Sequence, residues 1–352
     1  MPIENVTGMK FGVIGSGSWA TALVKMLTDH GQSVNWWVRS PETIEYIQRR
    51  RHNPHYLASA YFDVQQLQMR EDVNAVIAAS DVVVLVVPSA YICDVMDQVD
   101  SELLKGKKVL SAIKGLVPGP DLLLNDYLQQ RFDFPLQDYF TLLGPCHAEE
   151  VASEKLSYLT FSGVDMEMAA QIAAAFKTPY INTIINNDIL GVQYAAVLKN
   201  IYALGAGMAH GLEYGDNFLS VYIANSADEM ASFLRTVGAE HIVVGEHHTD
   251  PITQQRDLNY AASVYLGDLL VTCYSPYSRN RTFGNMIGKG YTVQSAQLEM
   301  NMVAEGYNAA KCMFNINKAI GADMPIASTI YRILWERVRP KKGFAEIEKV
   351  MN

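Results

Sequence analysis

The chain has 352 residues, 49% of them hydrophobic and 18% charged. That balance excludes a disordered chain on one side and a membrane-embedded one on the other, and the length calls for two domains, each with its own core. A net charge of −9 excludes a global pull on nucleic acid or anionic lipid, while leaving room for a local basic pocket around a small anion. The four cysteines, Cys93, Cys146, Cys273 and Cys312, stand far apart with no CxxC pair, a usage that fits a reducing cytoplasm. The first eight residues have no basic region and no long apolar stretch, so no secretory signal and no membrane insertion are expected.

Taken in chain order, residues 9–187 alternate strand and helix signals. Lys10 to Ile14 reads as a short apolar strand that ends in Gly15-Ser-Gly17. Trp19 to His30 follows with helical spacing and stops at Gly31. Strands are expected again over 33–38, over the fully apolar 82–87, and over 108–113 and 139–143, the last two ending in glycine-containing turns. This pattern predicts a doubly wound, Rossmann-like α/β sheet over residues 1–188. From about residue 189 to 352 the strand signal fades into long Ala- and Gly-rich helical patterns, which predicts an all-helical second domain. Residues 238–262 are polar and weakly periodic, as in a loop or insertion, and the tail after Pro340 reads as a short terminal helix.

Gly15-Ser-Gly17-Ser-Trp-Ala20 has the form G-x-G-x-x-A and lies where a strand passes into a helix. The first glycine suits a tight turn, the second lets backbone N–H groups approach a pyrophosphate, and Ala20 permits close helix–strand packing. At the end of the second strand stand Arg39 and Ser40, with Glu42 two positions on. A guanidinium and a hydroxyl suit the 2′-phosphate of NADP better than a carboxylate does, so NADP(H) is favoured and NAD(H) stays open.

In the second half, Lys199-Asn200 sits mid-helix among apolar residues. Burial there would lower the lysine pKa toward a range useful for proton transfer. Asp268 is a carboxylate able to orient and charge-stabilise such a lysine, and Ser278-Arg279-Asn280-Arg281 offers convergent donors for a phosphate or carboxylate. Glu246, His247, His248 and Asp250 adjoin one another without ligand spacing, so no metal is expected.

The ordered set of these segments resembles the NAD(P)-dependent glycerol-3-phosphate dehydrogenases. It runs from Gly15–Leu23 through Asn53-Pro-His-Tyr-Leu57, Val87-Pro-Ser89, Lys114-Gly115 and Gly144–Val151. It continues through Leu198-Lys199-Asn200, Gly215-Asp-Asn217, Gly267-Asp268-Leu269, Thr272-Cys273, Ser278–Arg281 and Val303-Ala-Glu305-Gly306. The resemblance implies cofactor contacts from Gly15, Gly17, Ser18, Trp19, Arg39, Ala148, Val303 and Glu305, and places Lys114 between cofactor and substrate. Gly144 and Cys146 would border the substrate. Lys199 would be the general acid/base, with Asp268, Asn200 and Thr272 in the active site. Ser278, Arg279 and Asn280 would bind substrate, Arg279 also reaching the cofactor.

The implied reaction interconverts dihydroxyacetone phosphate and sn-glycerol 3-phosphate, supplying phospholipid synthesis in the cytoplasm. The implied partners are small molecules, and the apolar helices are compatible with a homodimer. The chain departs from the family pattern at Tyr194-Ala195-Ala196, where Gly-Gly is usual. It departs again at Asn225-Ser226, where Arg-Gly is frequent, and at His210-Gly211, where Asp-Gly is usual. These differences bear on substrate preference and regulation more than on reaction class.

Overall fold

The computed structural model describes residues 8–239, 261–300 and 304–351. The described chain forms two compact units. One comprises the chain up to Ile113 together with Leu122–Ile189, and the other comprises Lys114–Asp121 with Leu190–Asn352. The division near residue 189 therefore carries one exchange: an eight-residue strap, Lys114–Asp121, packs with the second unit although its flanks belong to the first.

The first unit is built on eight strands. They are β1 (Phe11–Ile14), β2 (Val34–Trp37), β3 (Leu67–Arg70), β4 (Val82–Leu85), β5 (Lys108–Ser111), β6 (Tyr139–Leu143), β7 (Ser157–Gly163) and β8 (Ile181–Asn186). Their order in the sheet is β3-β2-β1-β4-β5-β6-β7-β8, with β1 to β6 parallel and β7 running antiparallel to β6. Phe11 is in register with Val34 on one side and Val82 on the other, so β1 and β4 meet where the strand order reverses. Every residue of β1, β2 and β4 is buried, which their near-continuous apolar sequence requires of central parallel strands. β7 and β8 give a weaker signal because Thr160, Ser162 and Asn186 interrupt them while still lying in the buried part of the sheet.

Helix Ser18–Asp29 crosses from β1 to β2 and ends at His30, with Gly31 in the left-handed region at φ +89°. Its buried Lys25 is paired with Asp29 (2.6 Å) and Glu154 (3.0 Å), and Tyr180 donates to the same Asp29. Burial without such partners would be costly for an ammonium.

The second unit is helical throughout its described residues. Its longest helix, Ile189–Gly211, is apolar on all sides and nearly all buried. By length and composition alone it is the one described helix able to cross a bilayer, but its apolar surface is buried within the protein. Helix Arg279–Gly288 runs parallel to it at very close range. A Cβ on Gly284 would collide with the carbonyl oxygen of Leu204, and one on Gly288 with that of Met208. In return, Gly207 faces the carbonyl of Arg281, and Gly211 that of Asn285. The offset of 80 between Leu204 and Gly284 is repeated at Met208 and Gly288, which fixes the register of the two helices. Glu229, on helix Asp216–Thr236, accepts from Ile326 N (2.7 Å), Ala327 N (2.9 Å) and Tyr202 Oη (3.0 Å). It thereby caps helix Pro325–Trp335 from within the core. Burial drives its carboxyl up to about 7 in spite of those donors.

Gly→Ala inside a helix ordinarily gains up to ~1 kcal/mol. At Gly284 the sign is expected to reverse, with Gly284→Ala losing about 1–3 kcal/mol of unfolding free energy in a denaturant titration because backbone cannot yield to the methyl. A neutral or stabilising result would contradict the close helix contact.

Candidate active site

Within the first unit, the chain leaves β1 and turns at Gly15 with φ +136°, a conformation L side chains rarely adopt. A Cβ there would stand 3.0 Å from the carbonyl oxygen of Val86, just past the end of β4. Gly17 is the N-cap of helix Ser18–Asp29, and a Cβ on it would meet nothing within 4 Å. Among the described residues no side chain caps this helix, and its first turn holds no acid. A glycine turn at the point of strand reversal, opening a helix whose N-terminus no carboxylate occupies, fits a dinucleotide pyrophosphate. Ser18 is buried at its start and Trp19 half-buried.

Two buried side chains hold this turn, and the sequence reading assigned neither to the site. Trp36 Nε1 donates to Gly15 O (2.7 Å). Asn53 Nδ2 donates to Ser16 O (3.1 Å) and Thr21 Oγ1 (2.9 Å), while Thr21 Oγ1 donates to Gly17 O (2.9 Å). The Asn53-Pro54 pair was a signal for the second, but only the fold brings it 37 residues back to Ser16.

Arg39 lies exposed immediately after β2, and Ser40 caps helix Pro41–Arg50 by accepting from Thr43 N (3.1 Å). The Ser40 hydroxyl also donates to Glu42 Oε2 (2.6 Å), a bond that lowers the Glu42 pKa. Of the two groups read as suited to a 2′-phosphate, only Arg39 is thus without a capping duty. Gly144 ends β6 at φ +131°, where a Cβ would come within 2.9 Å of Tyr158 O. Cys146 is buried just beyond, and Ala148 begins the short helix Ala148–Ala152.

In the second unit Lys199 is 3% exposed and Asp268 1% exposed, and the Lys199 ammonium donates to Asp268 Oδ1. Asp268 stands where the wider π-helical turns of Ala261–Gly267 pass without a break into helix Asp268–Tyr274. Burial is the largest influence on Lys199 and drives its pKa down to about 8. The Asp268 charge opposes that fall, and the nearby Lys114 charge adds to it. Asp268 Oδ2 is buried with no hydrogen-bond partner among the described residues, an acceptor available to a hydroxyl.

The helix register described above brings Asn200 against Asn280. Asn280 Nδ2 donates to Asn200 Oδ1 (2.9 Å), Asn200 Nδ2 donates to Lys114 O (2.8 Å), and Gly306 N donates to Asn280 Oδ1 (2.9 Å). A Cβ on Gly306 would sit 2.5 Å from Asn200 O, so this glycine is required for the approach of helix Glu305–Ile320. Six residues named from the sequence or adjoining them (Lys114, Lys199, Asn200, Asp268, Asn280, Gly306) therefore form one connected group.

Three hydroxyl or guanidinium residues behave more locally. Thr272 Oγ1 donates to Asp268 O (2.6 Å) within its own helix. Ser278 caps helix Arg279–Gly288 by accepting from Arg281 N (3.2 Å), and Arg279 opens that helix half-buried. Glu305 opens helix Glu305–Ile320. Val303, the Glu246–Asp250 cluster and nearly all of the 238–262 stretch lie outside the described residues.

Comparison with known proteins supplies the family. Residues 10–169 match the model of the NAD-dependent glycerol-3-phosphate dehydrogenase N-terminus, and residues 188–345 match that of the C-terminus. The chain belongs to this family. It is 32% identical over 347 residues to the glycerol-3-phosphate dehydrogenase (NAD(P)+) of Lacticaseibacillus paracasei, covering 97% of this chain and 94% of that one. The enzyme of the same name from Oceanobacillus iheyensis is 32% identical over 346 residues, with the same coverage. The crystal structure of glycerol-3-phosphate dehydrogenase from Coxiella burnetii shares the fold, with a TM-score of 0.84 at 23% identity over 97% of this chain and 99% of that one.

This dehydrogenase is accordingly an oxidoreductase that works with a nicotinamide cofactor. Its buried lysine can be titrated directly. NMR titration of the Lys199 side chain should give an apparent pKa near 8, falling in Asp268→Asn and rising in Lys114→Met. Unchanged values in both variants would show that these two charges do not act on Lys199.

Proposed function

We propose that the enzyme reduces dihydroxyacetone phosphate to sn-glycerol 3-phosphate, and runs the reverse, with Lys199 as general acid/base. The observation that carries this reading is the buried Lys199–Asp268 pair, with the lysine pKa brought down to about 8 by burial. A lysine so placed holds both protonation states near neutral pH, which is what an acid that must become a base requires. The nicotinamide, when bound, supplies or accepts the hydride at substrate C2.

In the direction of reduction, the Lys199 ammonium gives its proton to the oxygen that becomes the C2 hydroxyl. In the direction of oxidation the neutral amine takes that proton back. Asp268 accepts from the ammonium, keeping Nζ directed while holding its pKa from falling further. The Asn200 and Asn280 amides are engaged with Lys114 O and Gly306 N, so they set the spacing of the groups around Lys199. Lys114 and Arg279 supply cationic contacts to the phosphorylated substrate, with Ser278, Asn280, Gly144 and Cys146 bordering it. Anchoring the phosphate positions C2 with binding energy from atoms that do not react.

On the cofactor side, the Gly15–Gly17 turn and the start of helix Ser18–Asp29 would hold the pyrophosphate. Arg39 would favour the NADP 2′-phosphate, with Ser18, Trp19, Ala148, Val303 and Glu305 as further contacts. The exposed guanidinium supports NADP, while the Glu42 carboxylate beside Ser40 works against a second phosphate donor. Four cysteines without a disulfide among the described residues support a cytoplasmic setting, where the product would supply phospholipid synthesis.

Two variants test the assignments. Lys199→Ala should lower kcat by about 100-fold or more while NADPH still binds. Full activity in that variant would remove Lys199 from the chemistry. Arg39→Asp should shift the ratio of kcat/KM values from NADPH toward NADH, measured by absorbance of the reduced nicotinamide. An unchanged ratio would mean that another group reads the ribose.

A further inference from the structure

The strap Lys114–Asp121 follows β5 in sequence but is fastened to helices of the second unit at both of its ends. At the first residue, Asn200 Nδ2 donates to Lys114 O (2.8 Å). At the last, Asp121 Oδ2 accepts from Asn315 Nδ2 (2.9 Å), and the same carboxylate is hydrogen-bonded to the thiol of Cys312. Cys312 and Asn315 are three residues apart on helix Glu305–Ile320, hence on one face of it. Between the two anchors Leu116 and Val117 are buried.

Asp121 adopts φ +55°, a conformation glycine accepts freely and a side-chain-bearing residue enters at a cost. Gly119, two positions earlier, is also left-handed at φ +97°, so the turn itself asks for glycine-like freedom. An aspartate in such a place gains nothing from its backbone. What it adds is a carboxylate that makes two bonds to one helix.

We propose that the Asp121–Asn315 contact is a positioning latch that holds the strap so that Lys114 stays beside Lys199. The inference rests on the reading of Lys114 and Lys199 as substrate-side groups. Asp121 and Asn315 are positioning residues: they act through Lys114 and touch none of the reacting atoms. The helix that carries the latch also delivers Gly306 N to Asn280, so one helix fixes both the strap and the asparagine pair.

The latch has a consequence that a merely structural contact lacks. Among the described residues, the charges facing Lys199 are Asp268 and Lys114, with the Cys273 thiol also within electrostatic reach. Lys114 depresses the Lys199 pKa, so release of the strap raises it. In reduction the acid must be protonated, and the falling limb of kcat/KM therefore moves to higher pH when the latch is cut.

The experiment measures steady-state kinetics with dihydroxyacetone phosphate and NADPH from about pH 6 to 10. It compares the wild-type chain with Asn315→Ala, Asp121→Gly and Asp121→Asn, with Lys114→Met as reference. Asp121→Gly removes the latch while suiting the left-handed backbone, and Tm is measured beside the kinetics for each variant.

Asn315→Ala and Asp121→Gly are expected to raise KM for dihydroxyacetone phosphate about tenfold. Both should shift the falling limb upward, in the direction of Lys114→Met. Asp121→Asn, whose amide oxygen still accepts from Asn315, should stay near wild type. If Lys114→Met shifts the profile while both latch variants keep wild-type KM and pH dependence, the latch is overturned, whatever their Tm. If Lys114→Met leaves the profile in place, the Lys114–Lys199 coupling fails first and the proposal falls with it.

Discussion

An ammonium group taken out of water is the constraint on which the second unit is arranged. Lys199 sits on a helix that is apolar on every side, and its charge is tolerated because Asp268 accepts from it. That solution is incomplete by construction. Burial outweighs the carboxylate, and the pKa settles at about 8 instead of the ordinary lysine value. A stronger pairing would make the lysine a permanent cation, and a weaker one would leave it neutral. On the proposed function, the retained imbalance is what gives a proton donor that can also accept.

The remainder of the site depends on backbone proximity more than on side-chain size. Gly207 and Gly211 on one helix face Gly284 and Gly288 on another, and a methyl at any of these positions would strike a backbone atom. The contact imposes a parallel register with a constant offset of 80, and that offset places Asn200 opposite Asn280. Once paired, the two amides have their remaining polar groups directed at Lys114 O and Gly306 N. The geometry around Lys199 is thus set by where helices can touch, and the polar network follows from it.

How much of this was legible in the sequence depends on the range of the interaction. The Gly15–Gly17 turn was readable because strand, turn and helix are consecutive, and so were β1, β2, β4, β5 and β6, each a short apolar run. β3 gave little signal because only one of its four residues is buried, and β7 gave little because its buried hydroxyls break the pattern. Lys199 and Asp268 were identifiable as unusual residues in apolar helices. The π-helical approach to Asp268 was not, since it is decided by packing. Ser40, Ser278 and Thr272 look like ligand donors in sequence, yet each makes a hydrogen bond within its own helix or cap. Short hydroxyl side chains bond most readily to nearby backbone, so their local use is the expected outcome. Trp36 and Asn53, by contrast, act across 21 and 37 residues, and no local pattern marks such reach.

The strap shows why such long-range contacts escape a reading by segments. Its residues follow β5 in the chain, and a division drawn from strand and helix signals assigns them to the first domain. Their partners, Asn200, Cys312 and Asn315, all belong to the second unit. Lys114 therefore shares a structural unit with Lys199, and the distance between the two cations is set inside that unit. Two like charges held near each other raise the free energy of the doubly protonated state, so something must prevent the strap from relaxing away. Burial of Leu116 and Val117 resists that movement, and the carboxylate of half-buried Asp121 resists it at the far end of the strap. A left-handed aspartate adds to the Asn200 anchor a second tie to the same unit, which a glycine would fit the turn without supplying.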